Sequence, residues 1–441
     1  MTKFKKHPYA AATNIYLCLF MLYLLWFDSA GLTAISAAKR YAFYTISSLY
    51  LASVFIILFT EVIRGKRTIS DFSRFFKSIS LTQGLIAAYL FFTLISALLS
   101  PYRESVLLGA SRCEGLLTIS FYCIGFFLIS CFARPKKWML WLLSSVVIIF
   151  CTIGILQRLN LNPFSLYPSA RSAYDYSHSF LSTVGNIDYV ASFLCIVIPI
   201  FWVTILRTTG RQRFLLMIPL LFSLLILSLI HVAAGFVGIL CGTLFSLPVV
   251  IPAEKKTRRI IGGCIITLIL LAVSILIFFD FSNQILHEVH EVLNGNFEDE
   301  FGSGRVLIWK RVLKKIPERF WFGHGPDTMS LAGVPNIDTV NAKNVVIQTK
   351  RIDVAHNEYL NILFHQGIFA LLAYLAALFT ALRKWLQHAR SNPLASAFGA
   401  AVLAYAIQAF FGISQPITAP FFWCALALLE NSIRYENRPS C

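Results

Sequence analysis

Apolar runs long enough to cross a bilayer recur from one end of this chain to the other. A helix needs about 20 mostly apolar residues to span a hydrocarbon core roughly 30 Å thick. Runs of that kind cover 12–28, 42–63, 79–100, 115–133, 138–157, 187–206, 214–231, 234–251, 260–279, 358–382, 394–412 and 416–432. The pattern predicts an all-α, polytopic transmembrane protein of about twelve spans. The basic lead-in MTKFKKHPYA has no cleavage-type pattern behind it, so the first run is expected to be a retained helix.

The polar residues between the runs set the orientation. With the N-terminus inside, the inside loops carry Lys3, Lys5 and Lys6, then Arg64 to Lys77, Arg134 to Lys137, Arg207 to Arg213, Lys255 to Arg259, Arg383 to Arg390, and finally Arg434 and Arg438. Every short inside loop is basic, whereas the outside connections hold only pairs such as Lys39/Arg40 and Arg103/Arg112. Cytoplasmic loops are enriched in Lys and Arg, so both termini are expected in the cytoplasm.

One connection is different. Between the ninth and tenth runs lie about 78 residues of varied composition, placed outside by the same parity. A loop of that length is commonly functional or disordered. Within it Val306, Trp309, Val312, Leu313 and Ile316 recur at helical spacing, with Lys310, Arg311, Lys314 and Lys315 between them. That pattern predicts an amphipathic helix lying on the outer leaflet. A Ser-, Tyr- and Pro-rich outside segment at about 158–186 is irregular and could cover part of a site. The expected division is therefore 1–279, spans one to nine; 280–357, the extracytoplasmic loop; and 358–441, spans ten to twelve with a cytoplasmic tail.

Composition agrees with a lipid solvent, since 57% of the residues are hydrophobic and 13% are charged. The formal net charge of +17 reads as topology and attraction to anionic lipid. No nucleic-acid motif supports another reading. The ten cysteines are dispersed without metal-type spacing, and the run Glu298, Asp299, Glu300 reads as solvated, so no metal site or cofactor is expected.

Polar residues at the outer ends of spans beside the long loop are the candidates for chemistry. Arg305, after two glycines at the start of the amphipathic helix, can hold phosphate oxygens together with free backbone N–H groups. It can equally anchor the helix to headgroups. His356, in AHNEYL at the entrance of the tenth span, suits proton removal near neutral pH, with Asn357 and Glu358 orienting it or the acceptor. The plainer alternative is an interfacial histidine followed by a capping Asn. Arg351 and Arg112 add positive charge, unless they pair with Asp353 and Glu114 respectively. An outward-facing cationic cluster with a histidine at bilayer level suits a polyisoprenyl substrate with a pyrophosphate head.

Two long stretches, GSGRVLIWKRVLKKIPERFWFGHGPDTM and RIDVAHNEYLNILFHQGI, resemble the two outer-loop signatures of the O-antigen ligase and polymerase family in its Gram-positive form. GASRCEGLLTISFY around Arg112 and STVGNIDYVASFL around Asn186 are weaker matches. The resemblance implies an all-helical, GT-C-like membrane glycosyltransferase. Such an enzyme transfers a glycan from undecaprenyl pyrophosphate to a glycan, protein or cell-envelope acceptor at the outer face of the bacterial cytoplasmic membrane, without nucleotide sugar or metal. Carried over by motif, Arg305 and Arg351 bind the pyrophosphate and His356 activates the acceptor hydroxyl. Where relatives have a Ser-Arg pair this chain has Ala233, Ala234 and Gly235. Arg112 is one candidate for the missing charge. A polymerase acting on lipid-linked repeats is the alternative within the class. A secondary transporter or glycan flippase, which also commonly has about twelve spans, is the alternative outside it.

Overall fold

In the computed structural model, residues 7–167 except 67, 69–70, 72 and 75–76, then 181–340 and 346–436, are described. All twelve expected runs are helices. In chain order they are α1 (His7–Tyr23), α2 (Ile35–Ile63), α3 (Leu81–Leu99), α4 (Leu116–Phe132), α5 (Lys137–Arg158), α6 (Ile187–Arg207), α7 (Arg211–Ile230), α8 (Ala233–Val250) and α9 (Lys255–Phe278). After the long loop, with its helices α10 (Gln284–Leu293) and α11 (Phe301–Lys315), come α12 (Glu358–His388), α13 (Pro393–Gln408) and α14 (Ala419–Glu436). Among the described residues eight helices are long and apolar enough to cross a membrane by length and composition. Of the rest, α1, α4 and α13 are 16 or 17 residues long, and α14 carries charges near its C-terminus. The protein is a multi-pass membrane protein whose spans are all helical.

Helix ends moved where local chemistry outweighed hydrophobicity. α2 starts seven residues before the apolar run because Lys39 is fully buried there, its Nζ donating to Tyr23 O at 2.8 Å and Leu24 O at 2.7 Å. An ammonium satisfies the orphan carbonyls that end α1. At the other ends, Ser80 and Gln83 form a reciprocal capping box for α3, and Asn186 caps α6 by accepting from Asp188 N at 2.7 Å.

The bundle is built round α6, which is buried along most of its length, with α8 and α13 packed against it. Small residues permit this. A Cβ on Gly242 would come within 2.6 Å of Ala404, and one on Gly238 within 2.7 Å of Gln408 Cβ. Close approach of this kind is how membrane helices gain packing without a hydrophobic drive between them. α3 lies along α12, and α4 along α14. α9 stays at the periphery, touching α8 and α10, with Ile266, Leu268 and Leu270 exposed as lipid-facing residues are.

The two ends of the bundle differ in character. At one end, Arg434 donates to Gln83 and to Ser78 O, Arg134 lies over the Tyr435 ring, and Lys384 pairs with Glu430 at 3.0 Å. Arg207 reaches the carbonyls of Val250, Ala389 and Arg390 there. These residues belong to the basic loops expected inside. The long loop and the segments around Arg112 and His356 gather at the other end.

Much of the expected lipid-facing stripe on and just after α11 is instead turned into the protein. Val312 and Ile316, with Ile308 beside them, are buried against Met329, Ala332, Val334, Ile352, Ala355 and Phe364, and Trp309 packs on the same cluster, while Leu313 stays exposed. The loop thus has a small core of its own, and that core outcompetes lipid for the stripe. The chain also makes a short antiparallel hairpin in the loop, β1 (Ile337–Val340) with β2 (Val346–Lys350), which alternation had not announced.

Candidate active site at the loop end of the bundle

A break in α12 organises this end. Gly367 sits at φ +83°, ψ −179°, so the helix stops and restarts. The carbonyls freed by the break are taken up by the segment GHGPD: His324 N donates to Phe364 O, and Gly325 N to His365 O, each at 2.9 Å. Ser96 Oγ adds a bond to His365 O at 2.7 Å, and Ile368 N donates to Phe320 O at 3.0 Å. Side chains on Gly323 or Gly367 would strike the facing backbone, so this docking requires glycine at both. Irregular backbone at such depth survives only when its polar groups are satisfied by protein in this way. Burial lowers the pKa of His324, whose ring stacks on Phe364.

The same segment fixes the 109–115 loop through Asp327. Its carboxylate accepts from Ser111 N, Ser111 Oγ, Arg112 N and Glu114 N. Burial raises the Asp327 pKa and these donors pull it back. Arg112 then reaches 241 residues along the chain to Asp353, with Nη2 to Oδ1 at 2.9 Å and Nε to Oδ2 at 2.7 Å. Burial disfavours the guanidinium charge, and Asp353 more than offsets that, so its pKa is raised. The sequence had offered Glu114 as the partner of Arg112, and Asp353 as that of Arg351. The structure joins Arg112 to Asp353. Glu114 instead accepts from Tyr122 Oη at 2.6 Å and Ser414 Oγ at 3.2 Å.

These residues wall a pocket of about 550 Å³ including its open mouth, between α3, α4, α12 and the segment before α14. Its chemistry is set by Arg112, Glu114, Asp353, Glu358, Gln366 and Trp423. Glu358 is buried, with Tyr374 Oη at 2.6 Å from Oε1 and Tyr405 Oη at 3.1 Å from Oε2. Burial and the nearby charges of Glu358 and Asp327 raise the Glu114 pKa to about 8, against the bonds from Tyr122 and Ser414 that lower it.

The remaining expected site residues border this pocket or stand apart from it. Asn357 is the N-cap of α12, accepting from Leu360 N at 3.0 Å, which satisfies the plainer reading of that residue. His356, just before the cap, holds a left-handed backbone at φ +51° between the pocket-lining Val354 and Glu358. A histidine pays for that conformation, and Trp309 helps to hold it, its Nε1 donating to Ala355 O at 2.8 Å. Arg305 lies one turn before Trp309 on α11. The backbone enters that helix through Gly302, Ser303 and Gly304, all left-handed at φ 62°, 60° and 80°.

The expected nest of free N–H groups at Arg305 is only partly there. Gly302 N is taken by Glu288 and Gly304 N by Glu300 O. Arg305 Nη1 donates to Gly302 O at 2.8 Å, its Nε is buried without a protein partner, and the guanidinium lies within electrostatic reach of Asp188. Arg112 reaches the neighbouring Tyr189. The start of α6 therefore brings Arg305 and Arg112 to one helix end. Arg351 is exposed beyond β2 and makes no ion pair among the described residues. At the position of the absent arginine, Ala234 is buried and Gly235 would bring a Cβ within 3.0 Å of Ala191. A close α6–α8 crossing occupies that place. Part of the Ser- and Tyr-rich outside segment, 168–180, lies outside the described residues.

The O-antigen ligase family model matches residues 218–375, from within α7 to within α12, and so encloses the whole loop. This matched region supports assigning the chain to the O-antigen ligase and polymerase family. No curated protein matches it. The match supports an O-antigen ligase-like glycan transferase of polysaccharide biosynthesis in general terms, for which lipid-linked glycan and an acceptor are the implied partners. Arg305, Arg351 and His356 all fall inside the matched domain. Arg112 and Glu114 fall outside it and are joined to it by Asp353 and Asp327.

Proposed function

We propose that this protein transfers a glycan from an undecaprenyl-pyrophosphate-linked donor to an acceptor at the outer face of the cytoplasmic membrane. The reading is carried by one relationship. Within the matched domain, Trp309 lies one turn from Arg305 and holds the carbonyl next to His356. One helix thus presents a cation with an unspent buried donor and also supports the segment bearing a potential base. Arg305, assisted by Arg351, neutralises the departing pyrophosphate. His356 accepts the proton of the attacking hydroxyl. The new glycosidic bond forms as the anomeric carbon–oxygen bond to the pyrophosphate breaks, so a single displacement inverts that carbon. The polyisoprenyl tail stays in lipid.

The test compares lipid-linked and transferred glycan in cells carrying wild type, Arg305→Ala or His356→Ala at matched membrane levels. Accumulation of undecaprenyl-linked glycan with loss of the transferred product in both variants is the expected result. Wild-type behaviour in both would sink the proposal. Uptake of glycan into vesicles with its linkage unchanged would favour a transporter instead.

A further inference from the structure

We infer that the pocket between α4, α12 and the segment before α14 is a subsite for an uncharged, hydroxyl-bearing sugar ring, separate from the place where the pyrophosphate is held. The inference rests on the transferase reading and specifies which part of the substrates enters this cavity.

Three observations carry it. First, the charge balance is wrong for a phosphate. Glu114, Asp327, Asp353 and Glu358 all line the cavity, and the lining guanidinium, Arg112, is already engaged by Asp353 at 2.7 Å. An anion entering here would find the lining guanidinium already paired and would face carboxyl groups instead.

Second, one polar group in the wall is waiting for a partner. Gln366 is 5% exposed, lines the cavity, and its Oε1 accepts no hydrogen bond from protein. An amide oxygen buried in this way costs free energy unless something donates to it. It sits beside Gly367, where the break in α12 turns the backbone, so the fold has spent an irregular helix on placing it there.

Third, the rest of the wall matches what a sugar offers. Glu114 and Glu358 each have carboxyl oxygens already bonded to tyrosine or serine hydroxyls, leaving further lone pairs for ligand O–H donors. Trp423 and Tyr89, stacked at 6.2 Å with 20° between their planes, supply apolar faces for ring C–H groups. Carboxylate and amide acceptors beside aromatic faces recognise a polyol and reject a phosphate.

The experiment uses the purified full-length protein in nanodiscs and saturation-transfer NMR. The probes are the oligosaccharide freed by mild acid from the host's own lipid-linked glycan, and inorganic pyrophosphate. Wild type should transfer saturation to the sugar protons, and pyrophosphate should not displace the sugar. Gln366→Ala should weaken oligosaccharide binding roughly ten-fold, the worth of one hydrogen bond to a buried acceptor. Glu114→Gln, which preserves shape, should weaken it as well, with melting temperature checked for both. Arg305→Ala should leave sugar binding intact. Displacement of the sugar by pyrophosphate, or wild-type sugar affinity in Gln366→Ala and Glu114→Gln alike, would overturn the assignment. Intact sugar binding with unimpaired transfer in Arg305→Ala and His356→Ala would instead overturn the transferase mechanism and leave the subsite standing.

Discussion

Asp353 grips the Arg112 guanidinium at 2.7 Å and 2.9 Å, closing a contact between the entrance of α4 and the segment that leads into α12. The pair is about one-quarter to one-third exposed, so its net worth is modest even with good geometry. In a double-mutant cycle with Arg112→Ala and Asp353→Ala, the coupling read from denaturant unfolding in detergent should be about 1 kcal/mol. No coupling would mean that the two side chains are held independently.

Arg305 and His356 should separate by kinetics from the residues that merely place them. Arg305→Ala should lower the transfer rate by about 10²–10³-fold, as loss of one donor to a developing oxyanion does elsewhere. Arg305→Lys should recover part of it, since charge is kept and the planar fork is lost. In vitro transfer with purified lipid-linked donor measures both.

Trp309 is a positioning residue. Trp309→Phe keeps the ring against Phe410 and Phe411 and removes the bond to Ala355 O. Its cost should be about 1 kcal/mol of stability, and kcat should fall while the KM for donor stays close to wild type. An equal rise in KM would place Trp309 in donor binding instead.

Glu114 makes stability depend on pH. Its pKa in the folded protein is about 8, well above that of an unfolded glutamate near 4.5. Between those values the folded state binds the extra proton, so stability is full at the acid end and declines as pH rises through about 8. The melting temperature of Glu114→Gln should therefore gain on wild type from pH 5 to pH 9. A constant difference across that window would show that Glu114 is ionised throughout.

Gly367→Ala should destabilise by at least about 2 kcal/mol, because alanine resists φ +83° and its methyl would strike the Trp321 carbonyl. Thermal unfolding of the purified variant measures this. If it melts like wild type, α12 can run straight and the docking of GHGPD is dispensable.

How far the sequence could be read follows from where each signal lies along the chain. All twelve apolar runs became helices because lipid demands length and hydrophobicity from each segment separately. The basic loops likewise announced the end at which Arg134, Lys384 and Arg434 meet. Local motifs marked Arg305 and His356 as candidates and announced the cap at Asn357. The partners of Arg112 were read the wrong way round because proximity in sequence favoured Glu114, whereas Asp327 turns the loop towards Asp353. Gln366 was missed altogether, and Glu114 was seen only as a partner for Arg112. Gln366 lies in a mostly apolar span and Glu114 in a short loop, and only the meeting of α4, α12 and the GHGPD segment makes a wall of them. Two signals were available: FGHGPDTM holds glycines spaced for close backbone approach, and HQG interrupts a span with two polar residues. The stripe on α11 was misassigned to lipid because amphipathicity states that a face is covered without naming what covers it.

The splice in α12 also dictates the order in which the protein can be made. His324 and Gly325 leave the ribosome some 40 residues ahead of the carbonyls they will bind, and Ser96 far earlier still. The loop must therefore wait, its amides in water, until α12 has formed and offered its open turn. Assembly of this end is thus among the last events of biogenesis, and a chain arrested before Gly367 would form most of its helices yet lack the docked GHGPD segment and the pocket it walls.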